Sequence, residues 1–63
     1  MLIYVTDALS NTSIAINPEQ VISVLVVPEG EHQGKTAAIL TQGNVIVNDD
    51  FLELVGRING ELQ

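Results

Sequence analysis

Six of the seven residues in the run Val21-Ile22-Ser23-Val24-Leu25-Val26-Val27 are apolar, and most are β-branched. A strand with one wet face alternates apolar and polar residues, because successive side chains point to opposite sides. This run barely alternates, so both of its faces are expected to leave water. The flanking pattern predicts four further strands. Leu2 to Thr6 is rich in β-formers, and Thr12 to Ile16 places Ile14 and Ile16 on one face. Lys35 to Thr41 reads as a fourth strand and Asn44 to Val47 as a fifth, with Val45 and Val47 sharing a face.

The polar segments punctuate this order. Asp7 to Asn11 favours a turn through its Asp, Ser and Asn side chains. Asn17-Pro18-Glu19-Gln20 breaks the chain, because Pro18 lacks an amide donor and biases Asn17 away from the α region. Pro28 to Gly34 is the longest loop, and Gln42-Gly43 suits a hairpin turn. From Asp49 to Asn59 the period changes. Phe51, Val55 and Ile58 recur at helical spacing, and Leu52, Leu54 and Leu62 widen the stripe. Asn48 or Asp49 is the expected cap, with Asp49, Asp50 and Glu53 at the positive end of the helix dipole. Arg57 is expected near the carboxyl end, and Gly60 is the expected stop. Gly56 either lets the helix approach the sheet or simply weakens it.

The reading is a single α+β domain over residues 1–63: a small antiparallel meander of four to five strands with one C-terminal helix. One helix covers one sheet face. A chain of 63 residues buries roughly 60% of its unfolded surface and has little left to cover the other. It contains no Cys, so no disulfide or thiolate metal site assists. A homo-oligomer, with a dimer favoured, is therefore expected. Its interface is expected at Val21, Ile22, Val24, Leu25, Val26 and Val27. Tyr4, between Ile3 and Val5, either packs in the core with its hydroxyl at the rim or reaches that interface.

Charge narrows the partners. Eight acids against Lys35 and Arg57 give a net charge of -6. That field repels phosphate backbones, so direct binding to nucleic acid or an anionic membrane is not expected. A basic protein partner is compatible with it. No apolar run approaches a membrane span, and no basic segment precedes an apolar one at the start, so a cytoplasmic protein is expected.

Catalytic chemistry finds little purchase. Glu29, Glu31 and His32 have metal-ligand character but read as a solvated loop, and no metal or cofactor is expected. Asp49, Asp50 and Glu53 read as capping groups rather than an acid–base pair. No Ser lies in a Gly-x-Ser-x-Gly context, and Gly30, Gly34 and Gly43 form no phosphate-binding fingerprint. A non-enzymatic interaction module is the leading reading, a regulator or accessory factor working through protein contacts. Two alternatives stand beside it. One is an acidic, phage-type inhibitor that imitates nucleic acid to hold a basic protein. The other is a small-ligand binder at a subunit interface.

Val5-Thr6, the stretch Ile14-Ala15-Ile16-Asn17-Pro18-Glu19-Gln20-Val21, Gly43 with Val45 and Val47, and the closing helix together resemble the FlbD/SwrD-like family. Those are short bacterial proteins associated with flagella and swarming. The resemblance implies the strand-rich fold with a terminal helix. The Pro28 to Gly34 loop is longer than in that pattern, and the Asp7 to Asn11 turn lacks its Asn-Gly. In length and element order the chain is also similar to the CsrA-like RNA-binding regulators, which are intertwined dimers. Their basic RNA site would fall on Thr6-Asp7 and Asn48-Asp49-Asp50, which carry no cation here.

Overall fold

A computed structural model describes the backbone of residues 1–62 and the side chains of residues 1–60. The chain runs β1 (Ile3–Thr6), β2 (Ser13–Ile16), a 3₁₀ turn (Pro18–Gln20), β3 (Val21–Val26), β4 (Thr36–Leu40), β5 (Gly43–Val47) and α1 (Phe51–Leu62). It is an α+β fold with five antiparallel strands and a C-terminal helix.

The meander is divided in two. β1 and β2 form one hairpin, and β3, β4 and β5 form a three-stranded sheet in that order. Pro18 is the reason. Asn17 caps a single 3₁₀ turn by accepting the Glu19 amide at 3.0 Å, and Pro18 opens that turn buried. The chain turns a corner there, so β2 does not pair with β3. The two pieces are joined at the other end of the hairpin. An isolated bridge pairs Asp7 with Val47, the Ala8 amide donates to the Ile46 carbonyl, and the Asn48 amide donates to the Thr6 carbonyl. β1 therefore continues alongside β5, and β2 and β3 are left as the outer strands.

Local chemistry explains the turns. The Asp7 carboxylate accepts both the amide and the hydroxyl of Ser10, at 2.9 and 2.7 Å. Asn11 takes the left-handed conformation, φ 57°, which Asn tolerates better than most residues. After β3 the chain returns through a glycine bulge. The Val27 amide donates to the Lys35 carbonyl while the Gly34 amide donates to the Val27 carbonyl. Gly34 supplies the φ of 87° that this bulge needs.

The core is aliphatic. Ile3, Val5, Ile16, Val47, Leu54 and Ile58 are buried together, with Ile14, Val21, Val24, Leu40 and Val45 packed against them. Register sorts these side chains: Ile3 faces Ile16 and Val5 faces Ile14 across the hairpin, and Val24, Ala38 and Val45 line up across the sheet. Leu54 is fully buried on the helix. Removing such a side chain costs about 2–5 kcal/mol, against about 3–9 kcal/mol of total stability for 63 residues.

The helix departs from expectation at several residues. Asp50, not Asn48 or Asp49, is the cap: its carboxylate accepts the Glu53 amide at 3.3 Å and its carbonyl accepts the Leu54 amide. Asp49 is turned away to a different task. Gly60 does not end the helix, which continues to Leu62 without a left-handed residue. Leu52 is 75% exposed and stands outside the buried stripe. The Leu62 side chain lies outside the described residues. Gly56 is exposed, and a Cβ there meets nothing within 4 Å, so no close approach requires it.

Asp49 ties three segments together. One carboxylate oxygen accepts the Thr6 amide of β1 at 2.8 Å, and the other accepts Arg57 of α1 at 3.2 Å. Its backbone carbonyl accepts the buried Thr36 hydroxyl of β4 at 2.7 Å. Arg57 also donates to the Tyr4 carbonyl. Arg57 thus clamps helix to hairpin, and the last helical turn holds no basic residue.

Three outcomes follow for stability. Asp49→Ala leaves the part-buried Thr6 amide unpaired and should destabilise by about 2–3 kcal/mol, read as a lower urea midpoint at unchanged slope. Asp49→Asn keeps an acceptor for Thr6 and should lose about 1 kcal/mol, most of the solvent-screened Arg57 pair being weak; equal losses would show that the amide contact is not what matters. Gly56→Ala should raise stability by about 1 kcal/mol, since only helix propensity changes. The Ser10 hydroxyl, then its amide, hold the Asp7 carboxyl below the usual carboxylate range. A carboxyl whose folded pKa is depressed adds stability above its unfolded pKa and loses it as pH falls through the folded value. A carbon-detected titration of Asp7 should therefore move upward in Ser10→Ala; an unchanged curve would refute this origin.

Candidate interaction surface

β3 presents three different surfaces. Val21 and Val24 pack toward the core and are half-buried. Leu25, by contrast, points to the opposite side, paired with Ala37, which is in turn paired with Ile46. Val27 and Ile39 belong to this same outer side by strand alternation. Leu25 is 40% exposed, Val27, Ile39 and Ile46 are half-buried, and Ala37 is buried beneath its larger neighbours. The helix and the hairpin both pack on the core side. The outer side of β3–β5 is thus a mainly apolar face, with Ser23 and Asn44 at one end, that nothing among the described residues covers.

The third surface is the open edge. A bulge between Val21 and Ser23 leaves Ile22 without a partner on β4, and it is 67% exposed. Val26 is 47% exposed although its side chain lies on the core side, because β3 runs past the cover given by the helix. The expectation that this chain lacks the material to cover both faces of the strand fits this arrangement. Only the Val21 and Val24 side is covered within one chain.

Tyr4 is not brought to this surface. It lies on the outer side of the hairpin, opposite Ala15, and is 68% exposed. The core reading of Tyr4 is overturned, since β1 turns Ile3 and Val5 inward and Tyr4 outward. It lines a shallow depression with Leu2, Arg57 and Gly60, apart from β3. Sequence reasoning assigned Val45 and Val47 to one face but did not use what that leaves on the other. Ile46, with Ile39 and Ala37 by the same alternation, completes the outer face. The signal was present in the period of two.

Charge is partitioned around this face. The segments Val21 to Val27, Lys35 to Thr41 and Gly43 to Asn48 contain no carboxylate. All eight acids lie outside the three-stranded sheet. Asp7, Asp49 and Asp50 are occupied by the chain's own donors. Lys35, at the rim, donates to the Asn48 side chain at 2.8 Å.

Compared with family models, curated proteins and solved structures, the chain matches none. The surface is therefore read from its own chemistry. Among the described residues, no three His, Asp or Glu side chains gather into a metal-holding set, so Glu29, Glu31 and His32 do not form one. No described helix is long and apolar enough to cross a membrane. One surface depression is lined largely by polar groups, Asn17, Gln20, Thr41 and Gln42, and a second sets Arg57 among Leu2, Ile3 and Tyr4. The third runs between β3 and α1 and is mainly aliphatic.

Proposed function

We propose that this chain is a non-enzymatic protein-interaction module that works in the cytoplasm and associates with a second copy through the outer face of β3–β5. The observation that carries this reading is the coincidence of two properties on one face. Leu25, Val27, Ile39 and Ile46 are apolar and uncovered, and the sheet that bears them holds no acid in a chain of net charge -6. Two such chains repel at long range but meet at this face without burying a carboxylate. A two-fold axis places the same patch on both sides, which satisfies self-complementarity.

The size of the face sets its strength. Five-residue strands in a three-stranded sheet span roughly 16 by 14 Å. That is well below the roughly 800 Å² per partner of a standard interface. The association is accordingly weak and reversible, suited to a regulator or accessory factor. The FlbD/SwrD-like resemblance points to the same class of role. Imitation of nucleic acid is less well supported, because Asp7, Asp49 and Asp50 already serve the fold.

The test is sedimentation equilibrium over a wide concentration range at low and high salt. The average mass should rise with concentration, and rise more in high salt as the like charges are screened. Ile46→Lys and Leu25→Lys should stay monomeric with an unchanged melting temperature. A native chain that stays monomeric at millimolar concentration would sink the reading. These positions are better probes than Val24, whose side chain belongs to the core.

A further inference from the structure

The open edge of β3 and the groove beside it form a second surface, perpendicular to the outer face. Val27 exchanges its hydrogen bonds with Gly34 and Lys35, so its backbone faces β4. Alternation along the unbroken register from Val26 to Ser23 then turns the N–H and C=O of Leu25 toward β4 and those of Val24 and Val26 outward. No hydrogen bond reaches these outward groups from another element among the described residues. Natural edges are blunted by charges, prolines or bulges. Here those devices stand only at the two ends, the bulge at Ile22 and Pro28. Between them, Ser23 to Val27 carries neither charge nor proline.

Beside this edge lies a groove of about 270 Å³ lined by Val21, Ile22, Val24, Val55, Ile58 and Asn59. Its walls are one strand edge and one helix. An added strand hydrogen-bonded to Val24 and Val26 directs alternate side chains to the same side as theirs, and the one beside Val24 meets the groove walls at Val55 and Ile58. The surroundings are acidic. Glu19 precedes β3, and Glu29 and Glu31 follow it; all three are exposed. A second copy fits this edge poorly. A two-fold axis pairs the edges antiparallel, which brings the Glu19 end of one copy to the Glu29–Glu31 end of the other, like charge against like at both ends.

We propose that the β3 edge and the β3–α1 groove bind a short extended peptide segment of a partner protein, apolar at alternate positions and basic at its flanks, as an added antiparallel strand. The site is separate from the outer face, so failure to bind peptide leaves the self-association reading standing.

The probes are two acetylated seven-residue peptides of alternating valine and threonine, one with lysine at each end and one with glutamate. Each is titrated into the full chain and into Ile46→Lys, followed by amide NMR and hydrogen exchange. The lysine-ended peptide should slow exchange at the Val24 and Val26 amides in both proteins and weaken as salt rises. The glutamate-ended peptide should bind at least about tenfold more weakly at low salt. Val26→Pro removes an outward donor without touching the β4 ladder, and should weaken binding by about three- to tenfold. If that variant does not fold, Val55→Lys reads the same groove by repelling the lysine-ended peptide. Equal binding of both peptides, or unprotected Val24 and Val26 amides, would overturn the proposal. So would a native chain whose own self-association, rather than peptide binding, is lost in Val26→Pro, since the edge would then hold a second copy.

Discussion

The carboxylate of Asp49 is the contact on which the arrangement of this small domain depends. Thr6, Thr36 and Arg57 belong to a hairpin, a sheet and a helix, and all three end on one residue. The Asp49 side chain is only 15% exposed, so the groups it satisfies are partly withdrawn from water. A buried amide or hydroxyl without a partner is expensive, which makes the position of Asp49 restrictive rather than merely favourable. Val47 and Leu54, fully buried, lie on either side of it in the chain, so the polar node is set in the apolar core. With no disulfide, this node and the aliphatic cluster around Leu54 share the task of joining hairpin, sheet and helix.

A second constraint follows from size. One helix and one hairpin cover one side of the three-stranded sheet, and both lie on the Val24, Leu40 and Val45 side. The other side keeps Leu25, Ile39 and Ile46. The exclusion of acids from all three strands matters because it removes the charge that would otherwise keep that side solvated. The face and the edge of β3 present different chemistry. The face offers side chains alone, whereas the edge offers backbone donors and acceptors beside an aliphatic groove flanked by carboxylates. The two proposed modes of protein contact thus fall on one strand.

Much of this was legible in the sequence, and the parts that were not share a cause. The strands, the 3₁₀ break at Pro18 and the stripe through Val55 and Ile58 follow from short-range rules of turn chemistry and periodicity. The unalternating Val21 to Val27 run marks a strand, but the run alone does not separate its core side from its outer side. That needed the partners Ala38 and Ala37 on β4. The cap is expected at Asn48 or Asp49 by the local rule but falls on Asp50, because Thr6, forty-three residues from Asp49, engages the Asp49 carboxylate instead. For Tyr4 the core reading, one of the two that the sequence allows, does not hold. Its apolar neighbours suggested burial, yet a two-residue period with Ile3 and Val5 inside sends Tyr4 out.

The sequence by itself determined the element types, the antiparallel strand order within each hairpin, the aliphatic nature of the core and the segregation of charge away from β3, β4 and β5. These depend on neighbours a few residues apart, whose preferences act wherever the segment lies. Only the tertiary structure decided that β1 continues onto β5 through Asp7 and Val47, that Arg57 reaches back to Asp49 and the Tyr4 carbonyl, and that β3 ends the sheet with its edge open beside α1. Each of these joins residues far apart in the chain. Their pairing is set by which hydrogen-bonding groups would otherwise be buried alone, and no local pattern records that.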